Sequence, residues 1–351
     1  MWRPEPSKLK SVSPTEMNRL AKCALATAFE RDPAFSALKR TNTFALLGTI
    51  CHRILSGPRP GTRTKFEAVW SEHVAWAYSR LVASCSPFNP PVARQWPFYN
   101  QTKIRLRANL LNSASHQSKS GATQESWNET AIGVEQDLCG TPDKIIRFAN
   151  GTIKVIEYKT GSVLIGGSLK PEIRRQMLLY AYLCNHKFDE WPTELAVYSF
   201  HDGWLRVEYT PSHAIDAAAD AVRLRDKFNA AVENATTLDL AQPSPHNCLY
   251  CHFRTVCIPF QGALSADWAE YCTTIVGRIQ RVDQGAYKSV RLFVEKSNME
   301  QNASEATILR IPLQFEFHVG QLVCFDRLKP VSMDGILEMT WNSSCSITSP
   351  S

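Results

Sequence analysis

Two groups of reactive side chains stand out by type and spacing. The first is Gly140-Thr141-Pro142-Asp143, followed by Ile156-Glu157-Tyr158-Lys159-Thr160-Gly161. An Asp followed at a distance by Glu-x-Lys can hold a divalent cation. Asp143 and Glu157 offer the hard oxygen ligands that magnesium prefers, and the Tyr158 carbonyl can add a third. Such an ion acidifies water and draws charge from a phosphoryl oxygen, which is what cutting a phosphodiester requires. Lys159 falls on the same side of a strand as Glu157, where it can orient a water or offset phosphate charge. The plainer alternative is a Glu–Lys pair on a strand surface.

The second group is made of thiols. Cys23 stands near the start, and Cys248, Cys251 and Cys257 form a C-x-x-C-x₅-C run near residue 250. Four thiolates around a [4Fe–4S] cluster are chemically ordinary. Zinc is the rival, although its second ligand pair usually lies roughly a dozen residues further on. His246 and His252 flank the run, so a mixed zinc site stays open, as do plain core cysteines. Cys51 and Cys85 are the other candidates for a fourth thiol.

These groups need elements to carry them. Ser13, Pro14 and Glu16 form a capping box that starts a helix over 13–30, with Cys23 in its third turn. A second helix is expected over 42–56, with Gly48 and His52 on one face. A third is expected over 62–83. Lys103, Arg105 and Arg107 alternate with Ile104 and Leu106, which predicts a strand with three cations on one side. Residues 112–128, rich in Ser, Gln, Asn and Gly, read as a mobile loop. Asn150-Gly151 between apolar runs predicts a hairpin that places Ile153, Val155, Glu157 and Lys159 on one face. A helix over 172–185 carries Gln176 and Tyr180. A strand pair flanks Asp202-Gly203, and an Ala-rich helix covers 212–234.

Beyond residue 265 five β-like runs can be drawn, at 273–282, 288–295, 306–311, 321–326 and 336–341. They suit a small barrel, with the oligonucleotide-binding fold as one candidate. Arg278, Arg281, Lys288, Arg291, Phe293 and Lys296 could then meet nucleic acid. Core packing is the favoured reading for each of Phe293, Phe317, Phe325 and Trp341.

Composition sets the limits. The chain has 351 residues, 44% hydrophobic, enough for two domains with ordinary cores. Its formal charge of +6 and pI of about 8.7 fall short of the pI above about 9 that marks a nucleic-acid footprint. Eleven cysteines in a chain this large argue against a small secreted disulfide scaffold. Met1-Trp2-Arg3-Pro4-Glu5-Pro6 shows no apolar leader, and no apolar run approaches about 18 residues, so a reducing cytoplasm and no membrane contact are expected. The absence of a Gly-x-x-x-x-Gly-Lys-Ser/Thr loop excludes an ATP motor of that type.

In their order, Gly140-x-x-Asp143, Glu157-x-Lys159 and Gln176-x-x-x-Tyr180 resemble the PD-(D/E)XK nucleases of the RecB-like group. His52 in Leu47-Gly48-Thr49-Ile50-Cys51-His52 is similar to that group's upstream metal-binding histidine. The resemblance implies His52, Asp143, Glu157 and Tyr158 around magnesium or manganese, with Asp143, Glu157 and Lys159 catalytic. It implies Gln176 and Tyr180 as supports for the site and for the strand being cut; the adjoining Arg175 is a further candidate for contact with nucleic acid. Cys23 and the downstream triplet resemble the iron–sulfur nucleases of the AddB type and the CRISPR-associated exonucleases, although Ala24 stands where those relatives often have proline.

The expected architecture is therefore α/β. A restriction-endonuclease-like core with a central mixed sheet flanked by helices spans 1–262. A β-rich domain, a small barrel, spans 263–351. The expected activity is metal-dependent hydrolysis of DNA ends or single strands, with a separate helicase, recombination or CRISPR partner to open duplex. The alternatives are a non-catalytic nucleic-acid-binding scaffold on a nuclease fold and a nuclease of CRISPR spacer acquisition.

Overall fold

The Asn150-Gly151 turn shows how local chemistry lays out the central sheet. In the computed structural model Gly151 takes φ +84°, a region open to glycine at no steric cost, and Asn150 Oδ1 accepts the Thr152 N–H at 3.1 Å. The structure describes residues 3–39, 41–84, 90–112, 123–134, 137–265, 268, 273–299, 303–332, 337–340 and 346–348. Eight helices lie among them: α1 (Pro14–Arg31), α2 (Thr43–Ser56), α3 (Arg63–Ser84), α4 (Tyr99–Asn112), α5 (Pro171–Phe188), α6 (Pro211–Glu233), α7 (Pro245–Cys248) and α8 (Ile258–Ala263). The first nine strands are β1 (Thr123–Asn128), β2 (Ile132–Val134), β3 (Leu138–Gly140), β4 (Lys144–Phe148), β5 (Ile153–Lys159), β6 (Leu164–Ile165), β7 (Ser168–Leu169), β8 (Glu194–Ser199) and β9 (Gly203–Arg206). Six more follow: β10 (Thr273–Gln284), β11 (Lys288–Ser297), β12 (Glu305–Ile311), β13 (Leu322–Ser332), β14 (Leu337–Thr340) and β15 (Ser346–Thr348).

The chain divides into two compact units. One comprises Lys8–Ala21 and Thr41–Asn229; the other comprises Met1–Ser7, Lys22–Arg40 and Ala230–Ser351.

The first unit is mixed α/β. Its sheet has the order β1-β4-β5-β8-β9, with helices against it. The turn at Gly151 pairs β4 and β5 antiparallel, Lys144 opposite Ile156. β5 then runs parallel to β8, Glu157 opposite Val197, and α5 supplies the crossover that a parallel pair requires. Ile153, Val155 and Glu157 are buried on β5, as the alternation predicts. Leu47, Ile50, Ile54, Phe66 and Trp70 form a core between α2 and α3, and Cys51 sits within it.

Two expectations need correction here. Lys103, Arg105 and Arg107 lie on helix α4, not on a strand. Thr102, Leu106 and Leu110 are buried one turn apart, and that stripe decides the matter. Lys103 and Arg107 both pair with Glu67, at 2.5 and 3.1 Å. The capping box of α1 forms, Ser13 Oγ accepting from Glu16 N–H and Glu16 Oε2 from Ser13 N–H. The helix nevertheless leaves helical geometry at Cys23 (φ −167°, ψ 101°), an extended residue that interrupts the hydrogen-bond ladder. Of the expected loop over 112–128, residues 113–122 lie outside the described residues, and 123–128 form β1.

In the second unit each of the five β-like runs overlaps a strand within the described residues, and β15 is a further one. The order is β10-β11-β12-β14-β13-β15, and β10 also pairs with β13. Arg278 on β10 thus faces Phe293 on one side and Leu322 on the other. β12 and β14 run parallel; the other pairs are antiparallel. Phe325 is core and Phe293 is exposed; Trp341 lies outside the described residues.

Candidate metal centre

Backbone packing places the first group. Gly140 ends β3 under the Tyr180 ring, where a Cβ would come within 2.9 Å of both that ring and Leu183. Glycine there lets α5 close on the strand, and the chain then carries Asp143 to the start of β4. The Asp143 carboxylate ties two further segments together. Its Oδ2 accepts the Tyr158 N–H at 2.7 Å, and its Oδ1 lies 2.8 Å from His52 Nδ1 on α2.

Glu157 is only 3% exposed. Its Oε1 accepts from Lys159 Nζ (2.6 Å) and Gln176 Nε2 (2.7 Å), whereas its Oε2 is buried with no hydrogen-bond partner. Gln176 Nε2 also reaches Tyr180 Oη (3.1 Å), and that hydroxyl donates to the Thr141 carbonyl (3.2 Å). One chain of hydrogen bonds therefore leads from Lys159 through Glu157, Gln176 and Tyr180 back into the Gly-x-x-Asp segment. Glu157 and Gln176, 19 positions apart, and Thr141 and Tyr180, 39 apart, meet because α5 crosses between β5 and β8.

The electrostatics follow from burial. Burial pushes the Glu157 carboxyl upward; Lys159 opposes this and Asp143 adds to it. Burial alone would lower the His52 imidazole, but the hydrogen bond and charge of Asp143, helped by Glu157, raise it. Burial and then the Asp143 charge push the Tyr158 phenol up to about 12; burial and then Glu157 raise Tyr180 further. Both tyrosines keep their protons. His52 and Glu157 therefore hold a proton more readily than usual, and a proton there competes with a cation.

Sequence reasoning missed Glu129. Its N–H donates to the Asp143 carbonyl at 3.0 Å, just beyond the β1–β4 ladder, where Asn128 faces Lys144. Among the described residues, His52, Glu129 and Asp143 are the one set of three metal-ligating side chains whose ligand atoms all come within 4.8 Å of one another. Only the register of β1 on β4 could have pointed to it. Arg175 is not brought in: its Nε donates to Asn18 Oδ1 at 3.0 Å. What the structure gives Tyr158 is a hydrogen bond from its N–H to Asp143.

In the second unit Cys23, Cys248, Cys251 and Cys257 all line one pocket, together with apolar Leu25, Phe29, Phe253 and Phe260. Neither His246 nor His252 is in that lining, and Cys51 is committed to the α2–α3 core of the other unit. Cys85 lies outside the described residues. Burial raises the Cys248 thiol, and it pushes Cys251 and Cys257 up to about 12, with the neighbouring cysteines adding to each. Such thiols stay protonated until a metal takes their place on sulfur.

Arg254, inside the cysteine run, is a second residue the sequence did not flag. It is 3% exposed, donates to Thr274 Oγ1 (2.7 Å) on β10, pairs with Asp326 Oδ1 (3.0 Å) on β13, and lies over the Phe260 ring. Arg327 NH2 donates to the Cys251 carbonyl at 3.3 Å. The cations expected to meet nucleic acid are placed separately. Arg278 pairs with Glu295, Lys288 Nζ donates to the Phe315 carbonyl, and Arg291 sits in register with Arg281 and Thr307.

Taken together, a mixed sheet flanked by helices carries a buried acid, an Asp–His pair and an amine, a donor set suited to a divalent ion. Residues 11–258 match the PD-(D/E)XK nuclease superfamily, and the chain belongs to that superfamily. Its members are typically metal-dependent nucleases. No curated protein matches the chain. Among solved structures, the crystal structure of SSO0001 aligns with 60% of this chain and 92% of its own, at 19% identity and a TM-score of 0.28. Among the described residues no helix is long and apolar enough to cross a membrane.

Proposed function

We propose that the protein is a magnesium- or manganese-dependent deoxyribonuclease of the RecB-like group, an exonuclease on DNA ends or single strands, held together by a [4Fe–4S] cluster. The observation that carries the hydrolytic reading is Glu157: a buried carboxylate with one oxygen held by Lys159 and Gln176 and the other without a hydrogen-bond partner among the described residues. A buried carboxylate oxygen left without a partner is costly, so this oxygen calls for a cation.

His52, Asp143 and Glu157 would hold the ion, with the Tyr158 carbonyl as a further oxygen. The bound ion supplies Lewis acidity toward a phosphoryl oxygen and a more acidic water. Lys159, anchored on Glu157, presents an ammonium where phosphate charge builds up. Gln176 fixes the Glu157 rotamer, and Tyr180 fixes Gln176. These supports keep the carboxylate aimed before substrate arrives.

The C-x-x-C-x₅-C run together with Cys23, all four thiols lining one pocket, supports an iron–sulfur cluster. The strand pairings support a small barrel of oligonucleotide-binding type at the C-terminus: β10-β11-β12-β14-β13 and back to β10 is a ring of five, with β12 and β14 parallel. A DNA partner, a separate duplex-opening partner and a cytoplasmic setting complete the reading.

The test is anaerobic purification of the full chain, iron and sulfide analysis, and digestion of end-labelled DNA with and without Mg²⁺ or Mn²⁺. About four iron and four sulfide per chain are expected, with cutting only in the presence of divalent metal. DNA binding without cleavage across single-stranded, duplex and tailed substrates would instead mark a scaffold on a nuclease fold.

A further inference from the structure

The geometry points to Glu129 as an additional protein ligand of the catalytic cation, alongside His52 and Asp143. The inference rests on the metal-dependent reading above and extends it to a residue outside every motif of the sequence.

Three observations converge. The ligand atoms of Glu129, His52 and Asp143 come within 4.8 Å of one another, although they arrive from the end of β1, from α2 and from the start of β4. The Glu129 backbone is pinned by its N–H to the Asp143 carbonyl, so the two acids move as one piece. Next to them lies the independent sign of a missing ligand: Glu157 Oε2, buried and without a hydrogen-bond partner, on a side chain whose charge acts on both His52 and Asp143. The Glu129 and Asp143 carboxylates with the His52 imidazole offer a cation two oxygens and a nitrogen. Glu129 differs from Glu157 in being exposed, so no burial requirement explains its place. Its side chain gives the ion a negative ligand on the solvent side, where a phosphate would enter. One imidazole among the carboxylates also favours Mn²⁺ over Ca²⁺, which prefers an all-oxygen shell.

The experiment measures Mn²⁺ binding by the decrease of the free-ion EPR signal, on the full chain with its cluster intact and no DNA present. Glu129→Gln is expected to weaken binding at least tenfold, since even groups outside the ligand shell cost about 10–100-fold when lost. Its melting midpoint in EDTA should match wild type, because Glu129 is exposed. Asp143→Asn serves as the comparison. If Glu129→Gln binds Mn²⁺ like wild type while Asp143→Asn does not, the Glu129 inference fails and the metal-dependent reading stands. If wild type itself binds no Mn²⁺, both fall. A lowered melt in EDTA with unchanged Mn²⁺ affinity would make Glu129 a structural residue and overturn the inference.

Discussion

The two units each gather a set of potential metal ligands, but they treat the unligated groups in opposite ways. In the first, the polar groups already bind one another: Lys159 and Gln176 hold Glu157, while Tyr158 and His52 hold Asp143. Of these side chains, Glu157 Oε2 is left without a hydrogen-bond partner among the described residues. In the second, the four cysteines line an apolar pocket, and burial keeps three of the thiols protonated. The first arrangement is held in place by its own hydrogen bonds, whereas the second presents thiols and apolar walls. On the reading proposed above, the first suits an exchangeable cation and the second a structural cluster.

The contrast can be broken by substitution, and the largest effect belongs to the first unit. Glu157→Gln should reduce DNA cleavage by more than about 100-fold, the scale of losing one preorganised charge-stabilising group. Iron content should stay at the wild-type level. Loss of colour together with activity would merge the two sites and defeat the comparison. Cys257→Ser is the converse. Iron should fall away, and the second unit should become protease-sensitive. A colourless but equally stable variant would show that the thiols are ordinary core residues.

Asp326→Ala leaves the Arg254 guanidinium buried and without its ion-pair partner, which should cost about 3–5 kcal/mol in a denaturant titration. Gly140→Ala forces a methyl against the Tyr180 ring and should cost about 1–3 kcal/mol, with cleavage reduced because the Gln176–Tyr180 support shifts. The smallest effect is that of pH. His52 and Glu157 are both raised, and both must lose protons to bind a cation. Mn²⁺ affinity should therefore fall as pH drops through the raised His52 value, above the ordinary value of about 6.5, by up to about tenfold per pH unit for each proton displaced. In the metal-free protein the sign reverses. A raised pKa means the folded state holds its protons more tightly, so this contribution to stability is present at low pH and lost as pH rises through the folded values. Calorimetry in buffers of differing ionisation enthalpy would count the protons.

The sequence made the site legible where short-range chemistry fixes geometry. Asn150-Gly151 dictates the hairpin, the hairpin dictates the face of Glu157 and Lys159, and the i,i+4 spacing of Gln176 and Tyr180 aims both from one helix. It failed where a short stretch carried two periods at once. Lys103 to Arg107 alternate like a strand, and only the wider spacing of Thr102, Leu106 and Leu110 reveals the helix. It failed again where placement depends on register. Glu129 has no motif around it; the pairing of β1 with β4 alone brings it to Asp143. Arg254 looked like filler between two cysteines because its partners, Thr274 and Asp326, come from strands 20 and 72 residues away. The break at Cys23 had no signal at all, since its neighbours are good helix formers.

The Arg254–Asp326 contact also bears on how the chain can be shortened. A fragment trimmed after Cys257 would discard the Asp326 carboxylate that pairs with the buried Arg254 guanidinium. Such a fragment would be expected to aggregate before its nuclease centre could be assayed, so boundaries for expression are better drawn beyond β13 than at the end of the recognisable motifs.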